Sequence, residues 1–349
     1  MSYQYKDHLI EAGAHIKTAL KRLDTLAIDA ILFVVDDAGK LIGSLTDGDV
    51  RRGLIKDLTV QDKVEAFIQP NPKYIKKGSY DLQQIIEFKK LNFKIIPVLN
   101  AHDQIINVIN FRFLKSYLPL DTVIMAGGRG TRLSPLTDTT PKPLLQVGDK
   151  PIIEHNIDAL RSYGIDDFWI SLRYMGNQVE TFLGDGGSKG VAIKYVWEEE
   201  PLGTIGAVSK ITDFQHEYVL ITNSDLLTSL DYEDFFLDFI QKGADMSVAT
   251  IPYSVNIPYA VLETSNHHIV SFKEKPNYTY YSNGGIYIIK RKFLDRIPKN
   301  TFFNATDLME SMIQKGDKLI SYPIRQYWLD IGKYEDFKKA QEDIKHIKF

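Results

Sequence analysis

The segment Ala126-Gly127-Gly128-Arg129-Gly130-Thr131-Arg132-Leu133-Ser134-Pro135 directly follows the apolar run Val123-Ile124-Met125. No other feature constrains the fold as strongly. Short apolar runs then recur between helical stretches: Phe168-Trp169-Ile170-Ser171, Tyr218-Val219-Leu220-Ile221 and Met246-Ser247-Val248-Ala249. Such alternation predicts an α/β domain with a largely parallel sheet. Ligands of these sheets sit at the carboxyl ends of strands, so polar residues just after each strand are the candidates for chemistry. Three glycines in four positions let backbone approach a ligand closely and turn N–H groups toward an anion. Arg129 and Arg132 add guanidinium forks suited to phosphate oxygens. Thr140-Pro141-Lys142-Pro143-Leu144 then holds a lysine between two prolines, in a stiff, extended segment. The pattern is not a P-loop, since no GKS or GKT follows. It is not a dinucleotide fingerprint either, since the glycines stand as GGxG.

The first third carries a diverged repeat. Ile31-Leu32-Phe33-Val34-Val35, a polar turn over 36–40, and Leu41-Ile42-Gly43-Ser44-Leu45 read strand, turn, strand. The same pattern returns 64 residues later, without a gap, as Ile95–Leu99, 100–104 and 105–109. An amphipathic helix precedes each hairpin, with Ile16, Leu20 and Leu23 before the first and Leu82, Ile85, Ile86 and Phe88 before the second. A further helical stretch is expected after each, at 50–55 and 113–118. Two such units, each unable to close its own core, are expected to pack as a pair.

Composition excludes several classes. Cysteine is absent, so disulfides, thiolate nucleophiles and Cys-ligated metals are ruled out. The eight histidines show no HExxH spacing, and His267 with His268 reads as a polar surface turn. A net charge of −3 gives no bulk basic surface for nucleic acid. The longest purely apolar run is about six residues, against the roughly 20 that span a membrane. No cationic start followed by an apolar run suggests a signal peptide. The cytoplasm is therefore the expected compartment. Residues 1–119 carry 17 basic and 14 acidic side chains and the remainder 25 and 31, which supports a boundary near Leu118-Pro119-Leu120.

The repeat resembles a tandem CBS domain pair over 1–118, with units of about 1–60 and 61–118. Such pairs often bind adenosine nucleotides and often dimerise. The ligand element of that family, Gly-x-x-Ser/Thr-x-x-Asp, is matched by Gly43, Thr46 and Asp49. Those two side chains also suit a helix cap. The second unit has Asn107, Asn110 and Phe113 there, so its carboxylate is lost.

The run GGRGTRLSPLTDTTPKPLLQVGDKPII resembles the signature of nucleoside-triphosphate:sugar-1-phosphate nucleotidyltransferases. Further landmarks follow in order: Glu200-Pro201-Leu202-Gly203-Thr204, Asn223-Ser224-Asp225, Phe272-Lys273-Glu274-Lys275-Pro276, Asn283-Gly284-Gly285 and Trp328-Leu329-Asp330-Ile331-Gly332. The resemblance implies a Rossmann-like domain over 121–349, a mixed sheet flanked by helices of the glycosyltransferase-A kind. It implies that a sugar 1-phosphate attacks the α-phosphorus of an NTP, with Mg2+ as cofactor. Arg132, Lys142 and Asp225 are then catalytic, with Arg132 on the pyrophosphate end and Lys142 near the α-phosphate. Gly127, Gly128, Arg129, Gly130, Leu202, Gly203 and Thr204 meet the nucleotide, although Arg129 also reads as a supporting surface cation. Asp225 and Asp330 hold the metal. Tyr259, Glu274, Lys275 and Asn283 meet the sugar phosphate. Two positions depart from the family: Ser224 and Ala260 stand where relatives commonly have Gly. Acceptors for guanine are open between backbone carbonyls and one of Glu198, Glu199 and Glu200. The fusion resembles guanylyltransferases, so GTP is favoured. Thymidylyl, uridylyl or cytidylyl transfer is the alternative within the family. A nucleotide sensor with an inactive transferase domain is the alternative outside it. A homodimer built on the CBS pair is expected.

Overall fold

The computed structural model describes residues 5–347. The chain divides into two compact units. One comprises the chain up to Pro119 together with Ser162–Gly164, the other Leu120–Arg161 and Ile165 onward. Among the described residues, no helix is long and apolar enough to cross a membrane.

In the first unit the repeat is visible in detail. Strands Ile31–Val35 and Leu41–Thr46 pair antiparallel, as do Ile95–Leu99 and Ile105–Asn110. Each hairpin slips register at the same place, between Val34 and Val35 and between Val98 and Leu99. Helices Ile16–Leu26 and Leu82–Lys90 precede them, and their buried faces carry Ile16, Ala19 and Leu23 and then Leu82, Ile85 and Phe88. The two hairpin turns bond reciprocally. The N–H of Leu41 donates to Asp103 O at 3.2 Å, and that of Ile105 donates to Gly39 O at 3.2 Å. Shifting either bond by the 64-residue repeat gives the other. Phe33, Val35, Leu99, Ile105 and Val108 form the apolar cluster beneath these turns.

The expected helices after the hairpins form only once. Asp47–Ile55 is helical, and Thr46 and Asp49 close a capping box at its start. Thr46 Oγ1 donates to Asp49 Oδ2 at 2.6 Å, and Arg52 pairs with the other carboxylate oxygen. The side chains read as a ligand clamp are thus engaged with each other, and the capping reading accounts for both. At the equivalent place in the second repeat Phe113 replaces the carboxylate. Asn110 caps a single turn instead, accepting the N–H of Arg112 at 3.0 Å. The expected helix at 113–118 is absent, because the reciprocal cap is missing and Pro119 follows closely.

The second unit is built on a seven-stranded mixed sheet. From one edge the strands run Ala192–Trp197, Asp167–Leu172, Leu120–Met125, Tyr218–Asn223, Asn277–Lys290, Met246–Asn256 and Leu319–Pro323. The first four are mutually parallel, so their carboxyl ends share one edge. Asn277–Lys290 runs against them, which makes the sheet mixed. One face is packed by a cluster that includes Val123, Ile221, Val248, Ile289 and Leu308. Beyond Tyr253 the strands leave this core. The segment 253–283, with its hairpin of Val261–Ser265 and His268–Lys273, is an almost wholly exposed arm. His267, at φ 66°, sits in the turn of that hairpin, where the sequence places it.

Candidate active site

The parallel strand ends open onto a cleft of about 400 Å3. Its floor is the glycine-rich loop that leaves Leu120–Met125. Gly130, at φ 62°, takes the left-handed conformation that starts the 3-10 turn Thr131–Leu133. Its carbonyl accepts from Thr137 Oγ1 at 2.9 Å, which ties the loop down. That turn presents Arg132 to the cleft. Lys142 does not lie in an extended segment: it begins a second 3-10 turn, Lys142–Leu144, capped by Pro141. Proline's fixed φ preorganises the entry to this turn, which explains the departure from extended backbone.

Asp225 lies just past the Tyr218–Asn223 strand. The next residues, Leu226–Thr228, pair antiparallel with Trp328–Asp330. Leu226 lies opposite Asp330, and the N–H of Ile331 donates to Asp225 O at 3.0 Å. Trp328 Nε1 anchors the second strand to Gly284 O at 3.0 Å. This short ladder brings together two carboxylates 105 residues apart in the sequence. Lys142 Nζ forms an ion pair with Asp225 Oδ2, and the lysine is only 8% exposed. Burial pushes the Asp330 carboxyl above the usual carboxylate range, and Asp225 adds to the rise. Lys142 and Arg132 pull it back down. Asp225 Oδ1 and Asp330 Oδ1 are both buried without a hydrogen-bond partner. Two buried carboxylate oxygens without hydrogen-bond partners, on groups close enough to repel each other, are a hard-oxygen donor set, and Mg2+ fits such a pair with phosphate and water completing its shell.

The other wall follows Ala192–Trp197. Glu198 is 7% exposed and lines the cleft. It accepts from Ser171 Oγ and from the N–H of Leu202 at 3.1 Å. A Cβ on Gly127 would lie 2.6 Å from its Oε1, so glycine is required for the carboxylate to sit there. Glu199 and Glu200 point to solvent. Leu202, Gly203 and Thr204 border the cleft as expected. Thr204 is also structural, since its Oγ1 accepts the N–H of Ala305 at 2.8 Å, at the start of helix Ala305–Gln314. Ser224 is buried at the cleft, with its N–H on Met125 O at 3.2 Å.

The structure therefore gathers Gly127, Gly128, Gly130, Arg132, Lys142, Leu202, Gly203, Thr204 and Asp225 around one cavity. Asp330 adjoins it, its Oδ2 sharing with Arg132 the space beside Gly332. Arg129 is not in the cleft lining, and its guanidinium lies over the Tyr174 ring, 5.0 Å from the centroid. Tyr259, Glu274 and Lys275 lie on the exposed arm and do not line the cleft, with Tyr259 76% exposed. Asn283 is spent on its own strand, donating to Tyr287 Oη at 2.8 Å. Tyr259, Glu274 and Lys275 belong to the exposed arm, whereas Asn283 stands near the cleft's edge: it accepts at 3.0 Å the N–H of Gly285, where a Cβ would lie 2.7 Å from Nδ2 of the cleft-lining Asn223. Sequence reasoning missed Arg173 and Phe302, which do line the cleft. The strand-end rule alone would have found Arg173, which directly follows Asp167–Leu172.

Comparison with known proteins agrees with this architecture. The CBS domain model matches residues 8–56, the first repeat. The mannose-1-phosphate guanylyltransferase of Mycobacterium tuberculosis is 30% identical over 64% of this chain, and the chain spans 64% of that relative's length. The D-glycero-alpha-D-manno-heptose 1-phosphate guanylyltransferase of Aneurinibacillus thermoaerophilus is 30% identical over 65% of this chain and 99% of its own length. A UTP–glucose-1-phosphate uridylyltransferase of Synechocystis is 29% identical over 63% of this chain and 62% of its own. The solved structure of HddC from Yersinia pseudotuberculosis superposes with a TM-score of 0.51 at 26% identity, covering 64% of this chain and 99% of that one. The nucleotidyl transferase model matches residues 121–347, the whole sheet and both walls of the cleft, and the chain belongs to that family.

Proposed function

We propose that the chain transfers a guanylyl group from GTP to a sugar 1-phosphate, forming a GDP-sugar and pyrophosphate with Mg2+ as cofactor. One observation carries the reading: Asp225 and Asp330 meet beside Lys142 and Arg132, each with a buried oxygen that no protein group satisfies.

The attacking group is a phosphate monoester, whose second pKa of about 6 leaves it ionised at neutral pH. No side-chain base is required. The sugar phosphate oxygen attacks the α-phosphorus, and the bond to the bridging oxygen of pyrophosphate breaks. The barrier is the approach of two polyanions, so positioning and positive charge do the catalysis. Lys142, withdrawn from water and held by Asp225, acts on the α-phosphate, where its charge is poorly screened. Arg132 grips the departing pyrophosphate. The N–H groups of Gly128 and Gly130 receive phosphate oxygens. Asp225 and Asp330 would hold Mg2+, which when bound neutralises charge on the phosphates.

Guanine is favoured by Glu198. Its carboxylate accepts from donors such as guanine N1–H and N2–H2, whereas the carbonyls flanking the single donor of uracil or thymine are repelled. The proposal assigns no sugar contact to Tyr259, Glu274 or Lys275. The first unit serves in dimerisation or in sensing an adenosine nucleotide; sedimentation as a monomer, with no stability change on adding ATP or AMP, would overturn that part.

The test is a pyrophosphate-release assay with GTP, UTP, dTTP and CTP against several sugar 1-phosphates. Turnover with GTP at the highest kcat/KM is expected. Preference for a pyrimidine triphosphate would overturn the guanylyl assignment, and no product from any pair would favour a binding role.

A further inference from the structure

One charge at the cleft has no part in the chemistry above. Arg173 follows the Asp167–Leu172 strand, which lies between Ala192–Trp197 and Leu120–Met125. At the carboxyl edge of the sheet it therefore stands between Glu198 and Gly127. Its Cβ is 3.4 Å from where a Cβ on Gly127 would be, on the same glycine that Glu198 crowds. Arg173 is half-buried and lines the cleft. Among the described residues its guanidinium has no hydrogen-bond, ion-pair or ring partner, and it forms no ion pair with Glu198. A carboxylate and a guanidinium thus face one cavity from adjacent strands without neutralising each other.

Strand spacing sets what they can reach. Glu198 and Asp225 follow strands three positions apart, roughly 14 Å across the sheet. Asp225 and Lys142 mark the phosphate end, so Glu198 and Arg173 border the end left for the base. Guanine offers two donors, N1–H and N2–H2, on one edge and two acceptors, O6 and N7, on the next. The arginine fork matches O6 and N7 in a bidentate pair. Adenine would set its N6 amino group against that fork, and pyrimidines have no N7.

We infer that Arg173 is a specificity-determining residue that donates to guanine O6 and N7 while Glu198 accepts from N1–H and N2–H2. This rests on the guanylyl reading.

The test compares kcat/KM for GTP and 7-deaza-GTP, which replaces N7 by a C–H, in the full-length protein. The wild type should favour GTP by about tenfold, as expected for one arm of a bidentate contact. Arg173→Ala should lower kcat/KM for GTP by ten- to a hundredfold and bring the two substrates within about twofold of each other. Arg173→Lys keeps the charge without the fork and should lose the same discrimination. Circular dichroism and melting temperature check that each variant is folded. If both substrates fall together and the wild-type ratio persists, Arg173 serves the phosphates and the inference is overturned. A wild type that uses GTP without discriminating against 7-deaza-GTP also overturns it, with the guanylyl reading intact. A wild type that does not use GTP at all removes the guanylyl reading itself.

Discussion

Gly127 and Gly128 are neighbours of one residue type in one loop, and the structure predicts opposite responses to the same substitution. A Cβ at Gly127 would lie 2.6 Å from Glu198 Oε1 and 3.2 Å from its Cδ, while a Cβ at Gly128 meets nothing within 4 Å. Glu198 cannot swing aside freely, because Ser171 Oγ and the Leu202 N–H hold its two oxygens. Giving up one hydrogen bond to a charged group costs about 1.5–3 kcal/mol. Removing a glycine from the unfolded chain offsets about 0.4–1 kcal/mol of that. Gly127→Ala should therefore lose about 0.5–2.6 kcal/mol, a fall of roughly 1–10 °C in Tm for a domain of this size. Gly128→Ala should hold or slightly raise the Tm without nucleotide, and weaken GTP binding by crowding the cleft. Urea unfolding followed by fluorescence measures both. Adding Glu198→Ala to Gly127→Ala should recover at least about 1 kcal/mol relative to the sum of the single effects, since the two sites touch. The reasoning is refuted if Gly127→Ala is as stable as Gly128→Ala, or if the double variant is strictly additive.

Asp225→Asn should cut kcat by about 10²–10³ while the protein stays folded by circular dichroism; a near-normal rate in Mg2+ would take Asp225 out of the metal site. Burial and then Asp225 raise the Asp330 carboxyl, so the folded state holds that proton more readily than the unfolded chain. Its contribution is therefore favourable at acid pH and is lost as pH rises through the elevated folded value. The Tm of the Mg2+-free wild type relative to Asp330→Asn should fall with rising pH, and Mg2+ should stabilise the wild type increasingly over the same interval; a pH-independent difference would refute this. Thr46→Ala removes half of the capping box at Asp47–Ile55 and should cost about 1 kcal/mol in denaturant unfolding, whether or not an adenosine nucleotide is present.

Part of the cleft lining was legible in the sequence because its residues sit next to strand ends, where short apolar runs stop. Gly127 and Asp225 follow that rule, whereas Arg132 and Lys142 lie seven and 17 residues past Met125 and were legible through their charge in the glycine-rich and proline-flanked segments and through the resemblance. Asp330 was legible only through resemblance: its strand, Trp328–Asp330, is three residues long and exists by pairing with Leu226–Thr228. Such pairing is a long-range fact that no local pattern encodes. The residues of the arm over 253–283 were likewise reached only through resemblance. Tyr259, Glu274 and Lys275 were placed there by motif alone, and a motif does not say whether a strand returns to the core or leaves it. Tyr259 and Lys275 therefore matched a motif and still fell outside the cavity. The missing helix at 113–118 shows the reverse case, a repeat inherited in register but without the one carboxylate that completed its cap.

The reciprocal bonds between Leu41 and Asp103 and between Ile105 and Gly39 give the first unit an internal near-twofold axis. A contact surface that mates with a copy of itself remains self-complementary when one half is removed. A fragment carrying a single hairpin would uncover Phe33 and Val35, or Leu99, Ile105 and Val108 of the other hairpin, together with backbone edges ready to pair. Duplication within one polypeptide fills that surface from the inside, so the halves of this unit stand or fall together.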